Sequence, residues 1–217
     1  SKTYTIAVTN SPTVFARTAR LAEGKQYVRP AAGLHPELVC SRQAHIEPLL
    51  SLLSRVKYVG EIGLDYSRAT SEEREVQRST LDRIVARCED LGGRVLSIHS
   101  RRAAADAVAI TGAARRCKII LHWFSGSLAV PRSGIAAGCF FSVNPAMLRS
   151  ASGSRLLSEI PDDRLLTESD GPFVRNGARP FEPAAMSELV ETLARVRGVD
   201  AKELGRRIVQ NFARAVD

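Results

Sequence analysis

The 217 residues, 44% of them hydrophobic, suffice for one sizeable core, so a single domain over 1–217 is expected. No run approaches the roughly 18 consecutive apolar residues of a membrane span, and Ser1-Lys2-Thr3-Tyr4-Thr5 lacks a signal-peptide pattern, which excludes a membrane partner and favours a soluble, cytoplasmic protein. Thirty-one Lys and Arg against 23 Asp and Glu leave a net charge of +8, a balance that attracts an anionic partner without naming it.

Short β-branched apolar runs alternate with longer amphipathic stretches, the rhythm of repeated βα units on a parallel sheet. Strands are predicted over Thr3 to Thr9, Val28 to Gly33, Tyr58 to Leu64, Val95 to His99, Lys118 to Trp123, Cys139 to Val143 and Arg164 to Glu168. Helical patterns fall between them, over Pro12 to Ala22, Arg42 to Arg55, Ser71 to Leu91, Arg101 to Ala113, Ser127 to Ala137 and Ala146 to Glu159, and two more close the chain. Ser71 reads as the cap of the third of these, with Gly92-Gly93 as its stop. Cys40, Cys88, Cys117 and Cys139 form no C-x-x-C pair and read as free, mostly buried thiols. Periodicity allows either an open doubly wound sheet or most of a closed barrel, and the placement of polar residues decides between them.

Glu61, His99, His122 and Asp170 each stand at or just beyond the C-terminal end of a separate predicted strand, where a barrel aims catalytic groups into its mouth. Any one alone would equally suit a core position satisfied by a hydrogen bond. Together they form a carboxylate and imidazole set suited to a divalent cation such as zinc, manganese or magnesium.

Gly60-Glu61-Ile62-Gly63-Leu64-Asp65-Tyr66, Ile98-His99-Ser100-Arg101, Leu121-His122-Trp123-Phe124-Ser125-Gly126 and Glu168-Ser169-Asp170-Gly171-Pro172-Phe173 resemble, in order, the signature motifs of TatD-type metal-dependent deoxyribonucleases, and Gly33-Leu34-His35-Pro36 matches a further one. The resemblance implies an α/β fold, a TIM-type (β/α) barrel of the metal-dependent hydrolase class, cleaving phosphodiester bonds of DNA with one or two bound cations. It implies Glu61 as bridging carboxylate, His99 and His122 as ligands of one ion, and Asp170 as ligand of the other and acceptor of a water proton. That family opens with a strand bearing H-x-H, and this chain has no H-x-H, its four histidines being His35, His45, His99 and His122. The expectation is therefore a barrel without its first βα unit, with Glu61, His99 and His122 able to hold one cation. A catalytically impaired barrel that docks nucleic acid or a protein partner is the alternative, and related metal barrels that open amides, lactones and phosphotriesters are a third reading.

His35 reads as facing the ligands or the substrate rather than as a ligand. Arg101 and Tyr66 are candidate substrate contacts, as are Asp65 and Trp123, each equally suited to loop hydrogen bonding or rim packing. Arg101 and Arg102 are expected to open a helix whose free amides face a phosphate. His45 is expected at the surface. The wording of Leu121 to Ser127 and Ser142 to Met147 is also similar to the TatD-like component of the Qat bacterial antiphage system, which implies a defence role and a partner complex.

Overall fold

A computed structural model describes residues 3–217; Ser1 and Lys2, part of the signal-peptide argument, lie outside the described residues. Seven parallel strands follow one another in chain order: β1 Thr5–Ala7, β2 Val28–Pro30, β3 Tyr58–Asp65, β4 Val95–Arg101, β5 Lys118–Leu121, β6 Phe140–Val143 and β7 Leu165–Thr167. An isolated bridge between Ala32 and Val59 joins the β1–β2 pair to the five-stranded run β3 to β7. Among the described residues β7 and β1 share no ladder, so the wall stays open there. The architecture is that of a TIM-type α/β barrel, as expected. The helices are α1 Pro12–Ala22, α2 Pro36–Val39, α3 Ile46–Leu52, α4 Ser71–Leu91, α5 Ala104–Thr111, α6 Ala129–Ala136, α7 Pro145–Leu148, α8 Ala151–Glu159, α9 Met186–Arg197 and α10 Ala201–Val216. None is long and apolar enough to cross a membrane.

Alternation along the strands sorts two cores. Leu96, Ile98, Ile119, Leu121, Phe141, Val143 and Leu165 face the surrounding helices in the larger one. Tyr58, Val95, Ile120, Phe140 and Leu166 have the opposite parity and meet Ile6, Phe212 and Ala215, so α10 closes the barrel floor with apolar side chains. Two residues further along β5, β6 and β7 the same parity carries His122, Ser142 and Glu168, and four further along β4 it carries His99. The interior thus turns from dry to polar towards the strand ends.

Several element bounds differ from those expected. The stretch from Arg42 to Arg55 divides into 3₁₀ turns flanking α3, because Pro48 has no N–H to donate to Ala44 and the α-helix cannot run through it. Thr70, not Ser71, caps α4, accepting from Glu73 N at 3.2 Å while Glu73 Oε2 accepts from Thr70 N at 2.9 Å. Ser150 restarts the chain after α7 by capping α8 through Gly153 N. The hairpin of β8 (Arg175–Asn176) and β9 (Arg179–Pro180) was not anticipated, although Asn176-Gly177 between two extended pairs is a hairpin signal and Gly177 takes φ 61°. His45 is half-buried rather than at the surface, with Nδ1 at 3.0 Å from the Ser11 hydroxyl. Cys88, Cys117 and Cys139 are buried free thiols and Cys40 is half-buried, as expected; burial pushes the Cys88 thiol up to about 12.

Candidate metal centre

Glu61 owes its inward direction to a bulge. Val59 pairs with Leu96 and Ile62 with Ile98, so β3 spends one more residue than β4 over the same length. Simple alternation from Tyr58 would turn Glu61 outward; the extra residue restores it to the interior with Gly63 and Asp65. Thr9 clasps this bulge from behind. Its N donates to Gly60 O and its O accepts from Glu61 N, both at 3.0 Å, while its hydroxyl donates to Ala31 O and accepts from Gly33 N. The crossing is so close that a Cβ on Gly33 would lie 2.3 Å from Glu61 N and 2.4 Å from Thr9 O, which is why glycine stands there.

Three donor atoms converge in the mouth. Glu61 Oε1 lies 2.7 Å from His122 Nε2 and 2.9 Å from His99 Nδ1, and the two nitrogens are 3.4 Å apart. The 3.4 Å between the two nitrogens is the spacing of neighbouring tetrahedral ligands at bonds of about 2.0–2.2 Å, while the two shorter distances are those of hydrogen bonds from the imidazoles to the carboxylate. All three side chains are 11–16% exposed. The far nitrogen of each imidazole is held by a carboxylate: His99 Nε2 by Asp65 Oδ2 at 2.8 Å, and His122 Nδ1 by Glu168 Oε2 at 3.2 Å. With a proton on each far nitrogen, the near ones present lone pairs to the shared point beside Glu61, the usual arrangement behind a metal-bound imidazole. The residues therefore fit a divalent cation.

The electrostatics without a cation say the same. Burial opposes ionisation of Glu61, but hydrogen bonds from His122, His35 and His99 outweigh it and hold the carboxyl well below the ordinary range. Burial likewise disfavours charge on His122, yet Glu168 and Glu61 raise its pKa well above the imidazole value, and Asp65 and Glu61 raise that of His99. The site attracts positive charge to the point between its imidazoles. Asp170 departs in the opposite sense: burial, helped by Glu168 and Glu61 and opposed by His122 and His99, lifts it to about 6. It takes φ 44°, and its O accepts from Val174 N at 3.0 Å.

His35 joins the group from the β2 side. Its Nε2 is 3.6 Å from Glu61 Oε1, its ring centre is 4.7 Å from that of His99, and His35, Glu61 and His99 each bring a potential ligand atom within 4.8 Å of the others. Its Nδ1, however, accepts from Glu37 N at 3.3 Å and caps α2, which leaves the proton on Nε2 facing the site. A donor so placed suits an anion better than a cation.

Asp65, weighed above as a phosphate or base contact, is 3% exposed and bound to His99 and to Ser67, and these hydrogen bonds overcome burial to hold its carboxyl far below the usual range. Gln77 fixes its backbone on both sides, accepting from Asp65 N at 2.8 Å and donating to Asp65 O at 3.1 Å. The Tyr66 hydroxyl donates to Asp106 at 2.8 Å and the Arg74 guanidinium lies 5.2 Å from its ring centre, so both its polar end and one face are engaged at the rim. Arg101 is exposed on the last position of β4, opposite Asp65; Arg102 takes φ 55°, and α5 begins only at Ala104. The two arginines do not open a helix, because pairing with β3 keeps the strand extended to Arg101. Trp123 and Phe173, 37% and 79% exposed, follow His122 and Asp170 in the chain. Glu168 was quoted above only as part of a motif; its parity with Leu166, on the inward face of β7, was the signal that it belongs to the site.

Residues 1–217 match the family model described as TatD related DNase. The chain is 31% identical over 200 residues to human deoxyribonuclease TATDN3, spanning 85% of this chain and 70% of that protein. It is 27% identical over 206 residues to the 3'-5' ssDNA/RNA exonuclease TatD of Dickeya dadantii, spanning 89% and 78%. The crystal structure of YJJV, a TatD homologue from Escherichia coli K12, superposes with a TM-score of 0.82 at 25% identity, over 97% of this chain and 85% of that one.

Proposed function

This chain belongs to the family of TatD-related DNases, metal-dependent hydrolases, and on that footing we propose that it cleaves phosphodiester bonds of DNA at the mouth of its barrel. The observation that carries the reading is the meeting of Glu61 Oε1 with His122 Nε2 and His99 Nδ1 at 2.7 and 2.9 Å, each imidazole backed by its own carboxylate. Glu61, His99 and His122 would hold one divalent cation, zinc, magnesium or manganese, with Asp170 in electrostatic reach of the same point and a candidate ligand to a second. A bound cation supplies a more acidic water and neutralises charge on the phosphate oxygens.

The protein's own groups do the rest. Asp170, at about 6, is ionised at neutral pH yet basic enough to take a proton from water, the balance a general base needs. The His35 Nε2–H faces the site from a helix start and suits a phosphate oxygen. Arg101 is a free guanidinium at the rim for a neighbouring phosphate. The exposed rings of Trp123 and Phe173 offer faces on which unpaired bases can stack. Tyr66 contributes by fixing Asp106 and Arg78 beside the mouth, with Arg78 Nη1 at 2.5 Å from Asp106 Oδ2.

The test is cleavage of end-labelled single-stranded and duplex DNA by the purified protein with added magnesium, manganese or zinc. Cleavage that a chelator stops and that Glu61→Gln and His122→Ala each abolish, with folded circular dichroism retained, supports the reading. Equal cleavage by both variants would refute it. DNA binding without cleavage at any metal concentration would support the impaired-barrel alternative. The wording of Leu121 to Ser127 and Ser142 to Met147 favours a further role in antiphage defence with a protein partner; loss of plaque protection in a host carrying Glu61→Gln tests that separately.

A further inference from the structure

Glu168 lies outside the ligand set assigned above, yet it is the most heavily bonded side chain of the mouth. Its Oε2 accepts from His122 Nδ1 at 3.2 Å and from the Ser142 hydroxyl. Its Oε1 accepts from Asn144 Nδ2 at 2.8 Å and from the backbone N of Trp123 at 3.1 Å. A carboxylate has about four acceptor sites, and these four donors occupy them. Glu168, with its side chain only 13% exposed, therefore has no lone pair left for a cation.

We propose that Glu168 is a positioning residue that locks His122 as an Nε2 ligand and, through Trp123 N, holds the left-handed turn that follows His122. The inference rests on the metal-centre reading of the preceding subsection. Its geometric basis is that one carboxylate ties together the ends of three strands: His122 and Trp123 follow β5, Ser142 is the last but one residue of β6 with Asn144 just beyond its end, and Glu168 follows β7. An imidazole is nearly symmetric in shape, so packing alone does not decide which nitrogen faces Glu61. An acceptor fixed behind Nδ1 does decide it, because only the ring with its proton on Nδ1 satisfies Glu168 and leaves the Nε2 lone pair forward. Trp123 takes φ 37°, a left-handed conformation that a tryptophan rarely adopts, and the bond from its N to Glu168 Oε1 supports that turn. Asp65 makes the mirror-image choice for His99, holding Nε2 and freeing Nδ1. The two neighbouring imidazoles thus need opposite tautomers, and each has a dedicated carboxylate.

The experiment compares the full chain with Glu168→Gln and Glu168→Ala. Zinc affinity is measured by chelator competition below the melting temperature, and the ring nitrogens of His122 are followed by ¹⁵N NMR in the zinc-loaded protein. Glu168→Ala is expected to bind zinc about 10–100-fold more weakly, the usual loss when the partner behind a ligating histidine is removed. Glu168→Gln, equal in size and still an acceptor at one oxygen, should fall between. In the wild type the His122 Nδ1 proton should exchange slowly with solvent, and in Glu168→Ala rapidly. If Glu168→Ala does not fold, Glu168→Gln carries the comparison. Zinc affinities within twofold of wild type in the folded variants, wild-type zinc bound through His122 Nδ1, or a loss in Glu168→Gln as complete as in Glu61→Gln would each overturn the inference. Failure of the wild type to take up zinc, magnesium or manganese would instead overturn the metal-centre reading, and this inference with it.

Discussion

Gly33→Ala should damage the metal centre without touching a ligand. The added Cβ would sit 2.3 Å from both Glu61 N and Gly60 C, short by 0.7 Å (3.0 minus 2.3) of the closest approach a Cβ tolerates. The obstructing atoms are backbone, held on the other side by the Thr9 bonds to Gly60 and Glu61, so the bulge must move as a unit. Ligand positions in a working metal site are set to within about 0.2 Å. A shift several times larger therefore separates Glu61 Oε1 from the two imidazoles. Overpacking of this kind costs about 1–3 kcal/mol, which for a chain of this size is a fall in Tm of about 2–12 °C. Metal affinity should fall by about tenfold or more, the size of loss produced by removing a partner behind a ligand. Chelator competition and a thermal melt measure the two effects. Gly24→Ala is the control, because Gly24 has φ 71° but no atom within 4 Å of its would-be Cβ; it should lose some stability to backbone strain and no metal affinity. Wild-type metal affinity in Gly33→Ala would refute the claim that the Thr9–Gly33–Glu61 crossing sets the carboxylate.

Removing the metal should lower Tm: an ion present at 100 times its Kd contributes about 2.7 kcal/mol, or about 5–11 °C here, and calorimetry with and without chelator reads it. Asp170→Asn should abolish cleavage while raising the Tm of the metal-free protein at pH 7.5. Asp170 titrates at about 6 when folded against 3.8 ordinarily, so the folded chain holds the extra proton between those values and loses that stabilisation as pH rises through 6. The gap between variant and wild type should narrow as pH falls towards 4; a constant gap would contradict the assignment. Thr9→Val removes a buried hydroxyl that donates to Ala31 O and accepts from Gly33 N, and should cost about 1–3 kcal/mol by denaturant titration. Arg101→Ala should raise KM for DNA and leave kcat in place; an unchanged KM in steady-state assays would remove Arg101 from substrate contact.

The order of elements and the residues at the strand ends were legible in the chain itself. Strand alternation is a local property, so Val95, Ile120, Phe140 and Leu166 already marked an inward face, and His99, His122 and Glu168 lie on it by counting in twos. Placement at the strand ends, and then the motifs, also singled out Glu61 and Asp170, although Glu61 breaks the count. Its direction depends on an extra residue in β3 relative to β4, which is a relation between two strands and is written in neither alone. For the same reason local pattern could not separate Tyr66, engaged by Asp106, from Asp65, which backs His99. Tautomers and pKa values lie further still from the sequence. They follow from which carboxylate stands behind which nitrogen, and only the side-by-side pairing of β3 with β4 and of β5 to β7 brings Asp65 to His99 across 34 residues and Glu168 to His122 across 46.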